Sequence, residues 1–218
     1  SLFFMKIFKK FAFGRASLPK NGMSDLPKSI IKKNDLDISY NHRLSHIKNK
    51  TAFFENGKQE AYDIIIFAVP ISTINSILNT KYEASYYSNM TTYISSPQNV
   101  LDKSILLIPE DKYFSNSIQC LTNISSRYSE NNDSLYSVSS LKHNVSQDIL
   151  LDEFIQICKV DRDSCSIVKS YSIPHSLHSS ISDIDSSESI YFCGDWMCEP
   201  SIDGAVKSGR LIAEQLNR

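Results

Sequence analysis

The sequence predicts an α+β fold, in which part of an α/β sheet is combined with an antiparallel lobe. The consecutive apolar residues Ile64 to Phe67 are typical of a strand buried on both faces, as strands of parallel sheets usually are. The middle of the chain instead carries several short strand-like segments, separated by clusters of Asn, Asp, Ser and Pro. Near the C-terminus an apolar run ends in Gly-Asp and is followed by a helical pattern, the order of elements typical of α/β sheets.

The composition excludes several classes of protein. The net charge of the 218 residues is −1 and no segment is strongly basic, which argues against nucleic-acid binding. The apolar runs are far shorter than the roughly 18 residues of a membrane-spanning helix. The five cysteines form no C-x-x-C pair and the five histidines show no zinc-like spacing beside them, so we predict no metal site. Reduced thiols and the absence of a signal peptide indicate a cytoplasmic protein.

Two helices are predicted before the first strand. Phe4, Phe8 and Phe11 recur at helical spacing among lysines, which fits either a domain helix or a basic helix lying on a membrane surface. Because the chain starts at Ser1, we expect truncation, processing or a cloning scar. A second, short helix is expected from a cap at Ser24 to about Ile31.

A strand meander follows, and its clearest turn is Asn56-Gly57. Its predicted segments are LDISY (36–40), HRLSHIK (42–48), TAFFENG (51–57) and EAYDIIIFAVP (60–70). A short helix after Pro70 carries Ile71, Ile74 and Ile77 on one side.

The antiparallel lobe is predicted from the next strand-like segments, and a helix capped by Ser146 follows them. The strand segments are 104–109, 117–125, 134–141 and, after the helix at 147–158, 166–173. The Ser-rich stretch 179–189 is predicted to be a surface loop.

The C-terminal stretch has the pattern of a binding site for an anionic group. Gly194 leaves room for a phosphate to pass, and Asp195 offers an acceptor for a sugar hydroxyl. The helix that follows begins at a cap, Ser201 or Asp203, and its N-terminus favours negative charge. Its small and apolar positions are expected to pack on the sheet: Ile202, Val206, Gly209 and Ala213. A strand–Gly–helix junction also occurs in folds that bind nothing there.

The sequence of this stretch resembles a known family. IYFCGDW followed by SIDGAVKSGRLIA resembles the C-terminal FAD signature of the flavin amine oxidase superfamily, which includes monoamine oxidases, protoporphyrinogen oxidase, phytoene desaturases and renalase-like proteins. GMSDLPKSI and YDIIIFAVP resemble two further segments of that family. The resemblance implies an FAD-dependent oxidoreductase that oxidises a C–N or C–C bond of a small-molecule substrate by hydride transfer to the flavin.

The resemblance also implies roles for particular residues. The cofactor-binding residues would be Gly194, Asp195, Trp196, Ser201, Ile202, Asp203, Gly204 and Ala205. The first two would meet the pyrophosphate and ribityl parts of FAD, and backbone N–H groups of the last three would face the flavin N1 and C2 carbonyl. Trp196 would either shape the flavin edge or fill the core. His175 and His178 are weak candidates for a base or a substrate contact, and otherwise solvated or structural residues.

One family feature is missing, since none of the six glycines forms the G-x-G-x-x-G turn that holds the ADP half of FAD. We therefore expect an incomplete flavin amine oxidase-like fold. Residues 14–33, 60–79 and 187–218 would form part of an FAD-binding domain, and residues 34–59 and 80–186 the meander and the substrate lobe. Three explanations stay open: a second polypeptide completes the FAD site, the chain is a fragment, or the cofactor has been lost. The last would leave a non-catalytic interaction subunit.

Overall fold

The computed structural model describes residues 5, 9, 13, 17–142, 144–181, 183–184, 186–187 and 189–217. Four helices have described bounds: α1 (Asp25–Asn34), α2 (Ile71–Leu78), α3 (Gln147–Cys158) and α4 (Ile202–Leu216). The first five strands are β1 (Leu44–Lys48), β2 (Thr51–Phe54), β3 (Gln59–Ala61), β4 (Ile65–Phe67) and β5 (Ala84–Ser96). The others are β6 (Ile105–Leu107), β7 (Ser117–Cys120), β8 (Ser134–Ser140), β9 (Ser166–Ile181) and β10 (Ile190–Phe192). This mixture of helix and sheet confirms the predicted α+β class.

The chain divides into two compact units. The first consists of Ser1–Leu36 and Asn89–Ser172, and the second of Asp37–Ser88 and Ile173–Arg218. The boundaries fall inside β5 and β9. None of the helices within the described ranges combines the length and apolar character needed to cross a bilayer.

The first unit is built on the predicted antiparallel strands. The sheet order is β6-β7-β8-β5-β9, and α3 packs against β8. Ser146 caps α3 as predicted, because its hydroxyl accepts a hydrogen bond from the Ile149 N–H at 3.2 Å. The rings of Tyr136 and Phe154 lie 4.9 Å apart in a core shared by sheet and helix. Burial of this apolar face holds α3 on the sheet.

The second unit contains two small sheets. One is the antiparallel sheet β1-β2-β3, and the other is the parallel pair of β4 and β10. The hairpin predicted at Asn56-Gly57 joins β2 to β3, with Gly57 at φ +81°. The core residues come from β4, α2, β10 and the segment before β10: Phe67, Ile71, Ile74, Ile184 and Phe192.

The meander differs from the prediction at both of its ends. Residues 36–40 form no strand, and residues 60–70 divide into β3 and β4, which belong to different sheets. The prediction that Ile64–Phe67 is buried on both faces was also wrong. Phe67 is 3% exposed, whereas Ile64 and Ile66 are 44% and 45% exposed. The reason is that only one face of the β4–β10 pair is covered by the core of this unit.

Three other segments also depart from their predictions. The helix α1 continues to Asn34, and Ser24 makes no side-chain cap bond to it. The stretch 179–189 is not purely a surface loop, because it includes the end of β9 and the core residue Ile184. Phe4, Phe8 and Phe11, which define the predicted N-terminal helix, lie outside the described residues.

The buried face of α4 is not the one predicted. Gly204, Ser208 and Ile212 are buried, four residues apart along the helix. Ile202 and Val206 are instead 56% and 60% exposed. The hydroxyl of the buried Ser208 makes hydrogen bonds to Gly194 and Ala205 that an apolar side chain would not make, and these bonds favour this face of the helix as the buried one.

Candidate functional site

The loop after β10 begins at a glycine that no other residue can replace without strain. Gly194 has φ +153°, a backbone conformation that L side chains rarely adopt. A Cβ atom here would lie 2.4 Å from Nε1 of Trp196, so the indole ring occupies the space next to the backbone. The loop therefore turns tightly and carries the next residue, Asp195, into a short 3₁₀ turn, Asp195–Met197.

Ser208 fixes this loop to α4, and the sequence analysis did not include it in the site. Its buried hydroxyl accepts a hydrogen bond from the Gly194 N–H at 2.8 Å and donates one to the Ala205 carbonyl, also at 2.8 Å. The signal was present in the sequence as a small polar residue four positions after Gly204. A buried hydroxyl with both bonds satisfied holds the loop and the helix start in one geometry.

The first turn of α4 satisfies its own amides. Of the two predicted caps, Ser201 is the one observed: its hydroxyl accepts from the Gly204 N–H at 3.0 Å. Its carbonyl accepts from the Ala205 N–H at 3.0 Å. The predicted contacts of these two amides with a flavin would require both hydrogens to be shared with Ser201.

Gly204 is needed for packing within the chain. A Cβ atom at this position would lie 1.8 Å from the Glu199 carbonyl oxygen, well inside any real contact. The sequence analysis explained the small residue by the close approach of a cofactor. The structure shows that the preceding loop already requires a glycine here.

A cavity of about 400 Å³ lies beside Gly194 and the start of α4. Its lining includes six of the predicted residues, namely Gly194, Asp195, Trp196, Ala205, His175 and His178. The rest of the wall comes from residues 68–70, Ser72, Tyr86 and Ser176. The structure thus brings four of the eight predicted cofactor residues and both candidate histidines to one cavity. The other four predicted residues, Ser201, Ile202, Asp203 and Gly204, are not among the lining residues.

The two histidines lie on a strand that extends beyond the predicted segment 166–173. Both belong to β9, which continues through Pro174. Proline is tolerated because β9 is the outer strand of its sheet, where one N–H is not needed for pairing. In keeping with the alternation of side chains along a strand, His175 and Leu177 are exposed, and Ser176 and His178 are half-buried. Both histidines nevertheless line the cavity.

His178 has a defined tautomer. Its Nε2 lies 3.2 Å from the backbone carbonyl oxygen of Asp195. A carbonyl oxygen can only accept, so Nε2 carries the hydrogen, and in the neutral ring Nδ1 is left as the acceptor. This half-buried imidazole can accept a proton at Nδ1 without losing its bond to the loop.

Tyr86 is a lining residue that the sequence analysis missed. Its ring stacks on His175 with the centroids 4.7 Å apart and the planes 10° from parallel. Burial, and after it the negative charge of Asp195, raises the pKa of the Tyr86 phenol. At neutral pH the phenol is therefore protonated and can donate a hydrogen bond. Along β5, Ala84, Tyr86 and Ser88 are half-buried and Ser85 and Tyr87 exposed, but the residue types do not alternate in the same way, so the sequence carried no signal for Tyr86.

The cavity has the size and the mixed apolar and polar walls of a small-molecule site. Ligand cavities usually measure about 300–1,000 Å³ and combine apolar walls with a few placed polar groups. Here Ala68, Val69, Pro70 and Trp196 provide apolar wall, while Asp195 and the histidines provide the polar groups. The residues present are compatible with the ring portion of a flavin.

The comparison with a family model supports the resemblance noted in the sequence. Residues 2–99 match the family described as flavin containing amine oxidoreductase. The resemblance to the flavin amine oxidase superfamily is confirmed. The matched range includes the GMSDLPKSI and YDIIIFAVP segments, but it does not reach the C-terminal stretch that first suggested the family. No curated protein matches the chain.

Solved structures share the fold at low sequence identity. A Pyrococcus furiosus protein is 12% identical with a TM-score of 0.66, and the match covers 89% of this chain and 51% of that one. A Methanosarcina mazei oxidoreductase is 12% identical with a TM-score of 0.67, and covers 88% and 53%. Reduced UDP-galactopyranose mutase is 16% identical with a TM-score of 0.56, and covers 72% and 40%. The chain therefore spans about half the length of the solved structures it matches.

Proposed function

We propose that this chain is the flavin-side part of an FAD-dependent oxidoreductase that oxidises a C–N or C–C bond of a small-molecule substrate. A second polypeptide that carries a G-x-G-x-x-G turn would complete the FAD site. The observation that carries the proposal is the cavity in which Gly194, Asp195, Trp196 and Ala205 face the same space as two histidines. The family match over residues 2–99 supports a flavin as the cofactor.

Some residues of the cavity would bind the cofactor or the substrate, and one would transfer a proton. When bound, the flavin would accept a hydride from the substrate. The Asp195 side chain would accept hydrogen bonds from cofactor hydroxyls, and Trp196 would limit the space beside the ring. His178 would hold or release a proton at Nδ1 while its Nε2 stays bonded to Asp195. Tyr86 would keep its proton and orient a polar atom of the substrate.

One structural observation is also consistent with the alternative, an interaction subunit that has lost its cofactor. Both Gly194 and Gly204 are required by contacts within the chain, with Trp196 and the Glu199 carbonyl. A fold without flavin would keep these glycines for the same reason. Their presence does not separate the two functions, so a direct assay of the cofactor is needed.

The first test is to purify the chain without a tag from its native host and record the visible spectrum. We expect the absorbance of an oxidised flavin, which mass spectrometry of the released cofactor identifies as FAD. Mass spectrometry of the co-purifying polypeptides should find a chain with a G-x-G-x-x-G turn. A colourless preparation would reject the oxidoreductase and favour the interaction subunit.

A variant test uses two neighbouring positions on α4. Ala205→Leu places bulk at a residue that lines the cavity, whereas Gly209→Ala adds a methyl group where nothing lies within 4 Å. We expect the first variant to lose most of its bound flavin and the second to retain it. Equal flavin content in folded samples of both would mean that the cofactor does not occupy this cavity.

A further inference from the structure

The C-terminal end of α3 carries a thiol that faces the core of the first unit. Cys158 is the last residue of this helix and is half-buried. Together with Ile155 it packs against the buried cluster that includes Leu150 and Phe154. A cysteine in such surroundings usually behaves as a small hydrophobic residue. A second cysteine, however, packs against the same cluster.

This second thiol belongs to Cys165, seven positions further along the chain. It is half-buried, directly precedes β9 and contacts the same core as Cys158. Its negative charge, when it is ionised, is close enough to raise the pKa of Cys158, as the second cause after burial. The two thiols therefore lie at one corner of the core of the first unit.

The backbone between the two cysteines turns back on itself. Lys159 ends α3 in the left-handed conformation, with φ +55°, which reverses the direction of the chain. Asp161 then caps a 3₁₀ turn, Arg162–Ser164. This turn ends where the Cys165 N–H donates a hydrogen bond to the Arg162 carbonyl at 3.0 Å. Two consecutive turns thus replace an extended connection.

A side-chain contact also brings the 3₁₀ turn back along α3. The Arg162 guanidinium pairs with the Asp152 carboxylate, six positions before Cys158 on the helix. Six residues of an α-helix rise about 9 Å, so the turn lies beside the helix and does not extend away from it. The ion pair is exposed and contributes little to stability. The packing of the two thiols and their apolar neighbours therefore holds this corner in the reduced chain.

Oxidation to a disulfide is the chemistry open to this pair. Within the described part of the chain, no three His, Cys, Asp or Glu side chains come together as metal ligands. The charged side chains of the turn are exposed and supply no buried base for either thiol: Lys159, Asp161, Arg162 and Asp163. A disulfide requires Cα atoms within about 7 Å of each other, and we expect two residues that flank a double turn to meet this limit.

We propose that Cys158 and Cys165 form a reversible disulfide, a redox-sensitive lock that joins the end of α3 to the start of β9 in the presence of hydrogen peroxide. This inference does not depend on the proposed function. The reduced pair is the resting state in a reducing compartment, where disulfides are transient. The disulfide closes the short loop 158–165 and so restricts the unfolded chain.

The oxidation divides into two balanced steps. The Cys165 sulfur attacks one oxygen of the peroxide and the O–O bond breaks. The departing hydroxide takes the thiol proton and leaves as water, which gives a sulfenic acid at Cys165. The Cys158 sulfur then loses its proton and attacks the Cys165 sulfur, and the sulfenic hydroxyl leaves with that proton as a second water. The two sulfurs lose two electrons, which the peroxide gains.

The order of the two steps follows from the surroundings of the thiols. Burial keeps Cys158 protonated at neutral pH, because it raises the pKa of this thiol to about 11. Since the thiolate is the nucleophile, Cys165 reacts first with the peroxide and Cys158 resolves the sulfenic acid. The second step should accelerate roughly tenfold per pH unit between about pH 7 and about pH 9.

The test treats the protein purified from its native host with hydrogen peroxide and maps its peptides without reduction. We expect one linked pair, Cys158 with Cys165, which dithiothreitol reverses. Its rate of formation should follow pH as stated above. A sample in which both thiols stay free, or in which either pairs with a different cysteine, would overturn the proposal.

Single variants separate the two roles. In Cys158→Ser the sulfenic acid has no resolving thiol, so we expect dimedone to label Cys165. In Cys165→Ser we expect neither the disulfide nor a dimedone adduct at Cys158. The matched control is Cys193→Ser, which removes a half-buried thiol of the second unit and should leave the disulfide unchanged. A dimedone adduct at Cys158 in the Cys165→Ser variant would contradict the proposed order.

The lock also has a measurable effect on the fold. The oxidised chain should unfold at a higher denaturant concentration than the reduced chain, whereas Cys158→Ser should show no such shift after the same treatment. The amides of Ser166 and Ile167, at the start of β9, should exchange more slowly with deuterium in the oxidised chain. Equal unfolding midpoints and equal exchange in the two forms would mean that the disulfide does not lock this corner.

Discussion

Ser208 joins Gly194 to the first turn of α4, since its hydroxyl oxygen lies 2.8 Å from the Gly194 amide nitrogen. Ser208→Ala would leave this partly buried N–H without its partner. We expect the free energy of unfolding to fall by about 1–3 kcal/mol, the usual result of an unsatisfied buried donor. Chemical denaturation followed by circular dichroism measures the change.

The control for Ser208 is its neighbour Lys207, whose side chain pairs with Glu199 on the surface at 3.2 Å. Lys207→Ala should lower stability by less than about 1 kcal/mol, because exposed ion pairs contribute little. An equal loss in both variants would show that the Ser208 bonds do not stabilise the loop.

The two glycines of α4 should respond in opposite directions to the same substitution. Gly204→Ala forces a methyl group against the Glu199 carbonyl and should cost about 1–3 kcal/mol. Gly209→Ala meets open space and should stabilise the helix by up to about 1 kcal/mol. Thermal melts of the two variants test this, and a shift of the same sign in both would contradict it.

Glu153 is a buried carboxylate that anchors a loop to α3 in the first unit. It accepts hydrogen bonds from the Phe114 N–H at 2.7 Å, the Ser115 N–H at 2.8 Å and the Ser115 hydroxyl at 2.7 Å. Glu153→Gln replaces one acceptor oxygen with a donor facing other donors. We expect a loss of about 2–3 kcal/mol in the free energy of unfolding.

The matched control for Glu153 is Asp152 on the same helix. Its carboxylate pairs with Arg162 on the surface, and both side chains are exposed. Asp152→Asn should change stability by less than about 1 kcal/mol. If the two variants were equally stable, the loop would not depend on the buried carboxylate.

The Cys158 thiol should react slowly at neutral pH. Burial, with a smaller contribution from Cys165, raises its pKa to about 11. Because only the thiolate is nucleophilic, alkylation should accelerate about tenfold per pH unit until the pH approaches this value. Because the folded state favours the protonated thiol, this pKa shift contributes fully to the free energy of unfolding below the ordinary thiol pKa. The contribution is lost as the pH rises toward 11.

The measurement for Cys158 is iodoacetamide labelling followed by peptide mass spectrometry between pH 7 and about pH 10, a range that passes the ordinary thiol pKa but stays below the raised one. The Cys158→Ser variant identifies the peptide. A labelling rate that levels off within this range would mean that the thiol ionises normally.

Local signals predicted the local structure correctly. Ser146 and the spacing of Leu150 and Phe154 define α3, and Asn56-Gly57 defines the hairpin between β2 and β3. In these cases, the capping or turn residues and the apolar pattern agree, and the contacts that decide the structure lie within a few residues.

The predictions that were wrong concern residues whose burial is determined by contacts with distant parts of the chain. Val206 looked like a core residue by its type, but Ser208 takes the buried side of α4 because it bonds to Gly194. Ile66 is exposed because the face on which it lies is uncovered, which no pattern within β4 reveals. The cavity was only partly predicted, since Tyr86 reaches it from β5, over a hundred residues before Gly194 in the chain.

The β4–β10 pair also has a consequence for synthesis and folding. About 120 residues lie between the two strands, including the sheet and the helix of the first unit. Contacts between such distant residues form slowly, since the chain must close a long loop. On the ribosome β4 is therefore made long before its neighbour, and the edge that pairs with β10 stays open until residues 190–192 emerge. Ile64 and Ile66 are then open to misassociation, and the nascent chain would benefit from a chaperone at this stage.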